Sequence, residues 1–203
     1  MNQIMQSASR MCLDGYRSAL ERAAEAYGFI KKDVTLAAPW PTEPYFIQSL
    51  GEQIKASLQS LKDMYDEEIP VIFTTHSLPK RVVEKDPYYL KQLETTARAV
   101  LNYLNDPLLR WHAGYQSAGH TPEEWLKPDL TNIIADVKKE GSPAVLIAPI
   151  QFLTDHLEIL YDLDIAARKQ CEDIGIDYHR IKLPNTDPLF IKSIAQVVYN
   201  TIT

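Results

Sequence analysis

Short apolar runs alternate along this chain with longer stretches in which apolar residues recur every three to four positions. The short runs read as buried strands and the longer stretches as amphipathic helices. Residues 10–27 carry Tyr16, Leu20, Ala23 and Ala24 on one face and Arg17, Glu21, Arg22 and Glu25 elsewhere, which predicts a helix. Residues 34–38 predict a short strand, cut off by Pro39 and Pro41. Residues 43–64 place Phe46, Leu50, Ile54, Leu58 and Leu61 at helical spacing. The β-branched run at 71–75 predicts a buried strand. Further strands are predicted at 110–115, 144–148 and 177–181, and further helices at 87–104, 129–140, 155–174 and 187–201. Gly175 is a helix stop, and Pro188 suits the first position of the last helix.

A helix followed by five strand–helix units predicts an α/β fold, with a parallel sheet between two layers of helices. Ligands of such sheets bind beyond the carboxyl ends of the strands. The least regular stretches, 114–127 and 149–154, both follow strands and so belong at that edge. None of the seven glycines stands in a GxGxxG or P-loop pattern, which argues against the usual nucleotide enzymes.

Two residues at this edge carry the chemistry. His76 follows the strand at 71–75, and Glu158 follows the strand at 144–148. Facing one another, an imidazole and a carboxylate are a metal ligand and a base. A lone histidine in such a loop is more often a hydrogen-bonded structural residue than a ligand. Glu158 equally fits a helix start, with Asp155 as N-cap and Glu158 at the third position. Asp155, Glu158 and Asp162 are spaced to share one helix face, and a cap has no use for Asp162. Such a carboxylate stripe could pass a hard or borderline cation inward. The residues alone leave cap and metal path open. Asp164 is read as solvated, and Ser77 as a turn cap before Pro79. Tyr115, Trp125 and Phe152 are each packing candidates that together could line a flat aromatic ligand.

Composition narrows the classes. The net charge of −6 argues against nucleic acid. There is no run of about 18 apolar residues, so no membrane span is expected. The N-terminus lacks the apolar core of a signal peptide. Cys12 and Cys171 read as separate reduced thiols, which points to the cytoplasm. Two cysteines cannot hold an all-cysteine iron–sulfur cluster, and none is expected.

Five collinear segments carry a family resemblance. Thr74-Thr75-His76-Ser77-Leu78-Pro79 resembles the S-A-H-(S/G)-(L/I)-P segment of ferrochelatases. Lys85-Asp86-Pro87-Tyr88 is similar to their G-D-P-Y, and Gly114-Tyr115-Gln116-Ser117 to their (G/S)-W-Q-S. Residues 121–128 resemble T-P-x-P-W-L-G-P. Residues 149–162 resemble the segment in which a D-H-(L/I)-E core follows P-x-(G/A)-F. The wording is most similar to the coproporphyrin-using type of Gram-positive bacteria.

The resemblance implies insertion of Fe²⁺ into a porphyrin, coproporphyrin III or protoporphyrin IX, in haem synthesis. It implies a chelatase-like, Rossmann-type three-layer sandwich holding the C-terminal half and part of the first half. Residues 1–68 would be a remnant of the first Rossmann-like half and 69–203 the metal-binding half, with the last helix packing back on the first. His76 and Glu158 match the catalytic pair, and His76, Glu158 and Asp162 the metal-binding set. Ser77, Leu78, Pro79, Tyr115, Gln116, Ser117, Trp125 and Phe152 fall on the porphyrin-binding segments. Iron is substrate here, not a resident cofactor.

The chain also departs from the family. Roughly the first hundred residues of the usual family member have no counterpart here. Tyr115 replaces a tryptophan, Lys127 a glycine, and Gln151 a glycine or other small residue. Ala166 stands where many members carry a further acid. A chain so shortened is expected to self-associate, to take a partner that supplies the missing half, or to be unstable. Two other readings compete: a non-catalytic porphyrin, haem or metal-binding remnant, and a homodimeric chelatase for another tetrapyrrole.

Overall fold

Val71 to Thr75 are all buried, and their strand lies inside the sheet rather than at its edge. The computed structural model describes residues 10–28 and 35–203. Within them β1 (Val71–His76), β2 (Trp111–Gln116), β3 (Ala144–Pro149) and β4 (Asp177–Arg180) form one parallel sheet in the order β2-β1-β3-β4. Each begins and ends within one residue of its predicted bounds. The strand expected at 34–38 is not formed: Val34 lies outside the described residues, and residues 35–38 join no ladder. A strand needs a partner for its N–H and C=O groups, and the two prolines that follow offer no donor.

The helices are α1 (Arg10–Ala26), α2 (Pro44–Lys62), α3 (Lys80–Lys85), α4 (Tyr88–Leu104), α5 (Leu130–Lys139), α6 (Leu157–Ile159), α7 (Arg168–Ile174) and α8 (Pro188–Ile202). A π-helical segment, Leu160–Ala167, joins α6 to α7. Local chemistry sets several of their starts. Glu43 accepts from the Phe46 amide ahead of α2, Asp129 from Thr131 ahead of α5, and Asp187 from Leu189 and Phe190 ahead of α8. Pro44 and Pro188 occupy first-turn positions where no N–H is needed. Gly175 ends α7 in the left-handed region, at φ 69°. α1 forms as predicted, yet of its apolar stripe only Ala24 is buried, and Tyr16 and Leu20 are exposed.

The central strands β1 and β3 bury both faces. Val71, Phe73, Leu146 and Ala148 pack with Phe46, Leu50 and Ile54 of α2, Ala97 and Val100 of α4, and Phe190 of α8. Ile72, Val145 and Ile147 pack on the other face with Ile133, Ile134 and Val137 of α5, and with Ile159, Leu163, Ala167 and Cys171. Burial pushes the Cys171 thiol up to about 11, so it is an inert core residue. Ser49 donates to Asp187 at 3.0 Å, tying α8 to α2. Among the described residues no helix is long and apolar enough to cross a membrane.

Gly114 brings β2 close to α5. A Cβ there would lie 2.2 Å from Ile133 Cδ1 and 3.3 Å from the Pro128 carbonyl oxygen. Ile133 is itself packed, so Gly114→Ala is expected to cost about 1–3 kcal/mol of unfolding free energy by overpacking. Urea unfolding checks this, and an unchanged midpoint would refute it.

Sequence order fixes where a ligand can bind. The chain passes from β1 outward to β2, then back across β1 to β3. The strand order therefore reverses between β1 and β3, and the crevice of such a sheet opens beyond their carboxyl ends. His76 ends β1, and residues 150–158 follow β3.

Candidate functional site

His76 stands where the sheet runs out. Its N–H and C=O point to the β3 side, but the β1–β3 ladder ends at Thr74 and Pro149. Side chains replace the ladder. The His76 N–H donates to Gln151 Oε1 at 2.8 Å, and the Tyr89 hydroxyl donates to the His76 carbonyl at 3.0 Å. Gln151 Nε2 in turn donates to the Tyr89 oxygen at 3.0 Å. On the other side Ser77 N–H donates to the Gln116 carbonyl at 2.7 Å.

The imidazole is oriented at both nitrogens. Nδ1 lies 2.5 Å from the Ser77 carbonyl oxygen, which can only accept, so Nδ1 carries a proton. Nε2 lies 2.9 Å from Glu158 Oε1. In the neutral ring Nε2 has a lone pair, and a carboxylate offers only lone pairs. One further proton must therefore lie between these two atoms. Removing it leaves two donors aimed at one point, a site for a cation. The pair thus holds either a proton or a metal ion. Its side chains are 33% and 46% exposed, so solvent and ions reach it.

The cap reading of Glu158 fails. The helix begins at Leu157, with His156 in the cap position and no side-chain cap bond. Asp155 is held by the loop after β4: its N–H donates to Asn185 Oδ1 at 2.8 Å, and Asn185 Nδ2 donates to its carboxylate at 2.7 Å. Asp155 therefore lies outside the helix and cannot share a helical face with Glu158 and Asp162. Asp162 lies in the π-helical segment, where the wider turn alters the spacing, and it accepts a short hydrogen bond from Ser117 Oγ. Ser117 adopts the left-handed region at φ 60°, uncommon for a residue with a Cβ. Asp164 is not solvated as expected. It takes two 2.7 Å bonds from the Arg180 guanidinium, which stays above its ordinary range despite burial because of that carboxylate.

Other predicted residues divide between two sides of the sheet. Phe152 is buried beside His76, ring centroids 6.3 Å apart, and 5.9 Å from the His156 ring. Leu157 and Tyr161 project into solvent next to Glu158, Leu157 being 84% exposed. Leu78 and Pro79 pair with the loop after β2 through the Leu126 amide and a bridge to Trp125. Trp125 packs so closely on Gly119 that a Cβ there would sit 2.6 Å from its ring. Ser77 caps no turn: it is fully buried, with its hydroxyl donating to the Leu126 carbonyl at 3.3 Å. Gln116 neighbours His76 in register, and its buried amide has no hydrogen-bonding partner among the described residues. Tyr115 faces the other way. It packs against the cluster of Val83, Tyr89 and Leu93, where burial holds its phenol above the ordinary range. It lines a groove of about 410 Å³ between α4 and β2, on the opposite face from His76. Gln151 and Tyr89 are the site residues that sequence reasoning missed; the departure of Gln151 from the family pattern was the available signal.

Among the described residues no three His, Cys, Asp or Glu side chains converge on a metal position. A two-donor, solvent-reached pair at the switch point suits an ion in passage. The family profile described as Ferrochelatase matches residues 4–202. The chain is 39% identical over 160 residues to a coproporphyrin III ferrochelatase of Geobacillus thermodenitrificans, covering 78% of this chain and 50% of that one. It is 33% identical over 190 residues to a ferrochelatase of Herpetosiphon aurantiacus, covering 94% and 61%, and 34% identical over 191 residues to one of Deinococcus radiodurans, covering 94% and 60%. It thus spans between half and about three-fifths of the length of these relatives. With the family profile matching nearly end to end and relatives a third or more identical over most of its length, the chain belongs to the ferrochelatase family.

Proposed function

We propose that this chain carries the metal-binding side of a porphyrin metallation site and inserts Fe²⁺ into coproporphyrin III. The observation that carries the reading is the 2.9 Å His76–Glu158 pair at the switch point of the sheet. The relatives named as coproporphyrin III ferrochelatases support that porphyrin over protoporphyrin IX. Metallation exchanges two pyrrole N–H protons for one Fe²⁺. His76 Nε2 is the protein donor to the incoming iron, and Glu158, 46% exposed, accepts the two pyrrole protons in turn and passes each to solvent. Each role uses the state the pair reaches when its shared proton leaves. Asp162, beyond Glu158 in the helix, is the outer acid on the path of the ion. Phe152, Leu157 and Tyr161 offer the macrocycle apolar surface beside the pair, and Trp125 bounds the loop side.

Anaerobic titration of the 203-residue chain with coproporphyrin III and Fe²⁺, followed at the Soret band, tests the reading. The expected result is conversion of the free-porphyrin band to that of the iron complex, at a rate proportional to protein. The share of the relatives' length that the chain spans favours a second reading, a porphyrin-binding remnant without turnover. Its signature is a bound-porphyrin shift with no metalloporphyrin band, and that outcome sinks the first reading.

A further inference from the structure

We infer that Gln151 and Tyr89 are positioning residues that fix His76 over the cleft, an inference that rests on the metallation reading above. Parallel ladders normally hold a strand's last residue, but here the ladder from β3 stops one step short, with the Ile150 N–H donating to the Thr74 carbonyl at 3.1 Å. Both backbone polar groups of His76 would then face an empty lane. Gln151 fills it with its side chain: Oε1 accepts from the His76 N–H, which leaves Nε2 to donate to the Tyr89 oxygen. Tyr89 Oη lies 3.0 Å from the His76 carbonyl and 3.2 Å from Gln151 Oε1. Its one proton goes to the His76 carbonyl, the nearer of the two acceptors. The three bonds close a ring around the His76 peptide groups. The donor–acceptor identity of the Gln151 amide follows from its partner, because the His76 N–H can bond only to the oxygen.

The ring acts on the imidazole through the backbone. Nδ1 is fixed by the Ser77 carbonyl, one peptide along, so a rotation of that peptide swings Nε2 relative to Glu158. Tyr89 is buried at 3% exposure and packs with Val83 and Leu93, which anchors the ring to the core. A small residue at 151, as the family pattern has, could make neither bond. Positions 151 and 89 therefore work as a pair, and neither touches the reacting atoms.

The test compares Gln151→Ala, Tyr89→Phe, the double variant and Gln151→Glu. Amide hydrogen exchange is read residue by residue, and kcat and KM are measured with coproporphyrin III and Fe²⁺. In Gln151→Ala the His76 amide is expected to exchange about five- to tenfold faster, the loss of one neutral hydrogen bond, while Val71 to Thr74 exchange as before. kcat is expected to fall about tenfold with KM nearly unchanged, short of the roughly 10²-fold cost of a full 1 Å misplacement. The double variant should be no worse than the more damaged single one, as for two members of one network. Gln151→Glu keeps an acceptor for the His76 N–H and should restore its protection. Unchanged His76 exchange in Gln151→Ala overturns the inference, as does faster exchange with unaltered kcat. A wild-type chain that binds coproporphyrin III without metallating it overturns the proposed function instead, and the exchange comparison still decides the ring because it needs no turnover.

Discussion

His76→Ala is expected to lower coproporphyrin III metallation by about 10³-fold or more, the upper range for a group that acts directly on the reacting atoms. The protein should remain folded, and this makes the loss informative. The His76–Glu158 ion pair is a third to a half exposed, and exposed pairs of this kind are worth about 0–1 kcal/mol. The bonds that the backbone of residue 76 makes with Gln151 and Tyr89 do not need the imidazole, so the strand end should hold its place. Glu158, at 46% exposure, can be solvated when its partner is gone. Urea unfolding should therefore shift by about 1 kcal/mol or less. Porphyrin should still bind, because Phe152, Leu157 and Tyr161 are untouched. Rapid-mixing measurement of the Soret change under anaerobic conditions separates binding from metallation. Turnover at the wild-type rate in this variant would remove His76 from the site.

The sequence showed the two ends of that pair but not the bond between them. Strands 71–76 and 144–149 were legible as short β-branched or apolar runs and strands 111–116 and 177–180 from their places between helices, and their order placed His76 and Glu158 at one edge. The rest depends on contacts between residues far apart in the chain. Asp155 looked like a cap because a cap is a local pattern; Asn185, thirty residues on, takes its amide and carboxylate instead. Asp164 looked solvated because its partner, Arg180, sits on another element. The π-helical turn at Leu160–Ala167 leaves no trace in apolar periodicity, since a widened turn still buries Leu163 and Ala167. Tyr115 shares a loop-edge position with Gln116, yet strand alternation sends the two to opposite faces. The resemblance pointed to the pair without supplying its support, because Gln151 is where this chain leaves the family pattern and Tyr89 lies just past a matched segment.

Glu158→Gln is the second large effect, with an expected fall in kcat of about 10²- to 10⁴-fold, the span for loss of a positioned base. The substitution preserves shape. A glutamine amide donates to His76 Nε2 as the bridging proton did, with no charge and no proton to exchange. The lone pair of Nε2 is then occupied in the resting site, and no group nearby accepts a pyrrole proton. Porphyrin should still arrive, so KM for coproporphyrin III is expected to stay within about twofold, the pattern for an interaction made only in the transition state. Glu158→Asp keeps a carboxylate but draws it back by one methylene and should fall between wild type and Glu158→Gln. The kcat–KM split decides what the carboxylate does. If Glu158→Gln raises KM for Fe²⁺ and leaves kcat intact, Glu158 delivers the metal and the pyrrole protons leave by another route, with His76 Nε2 as the remaining acceptor in the pair.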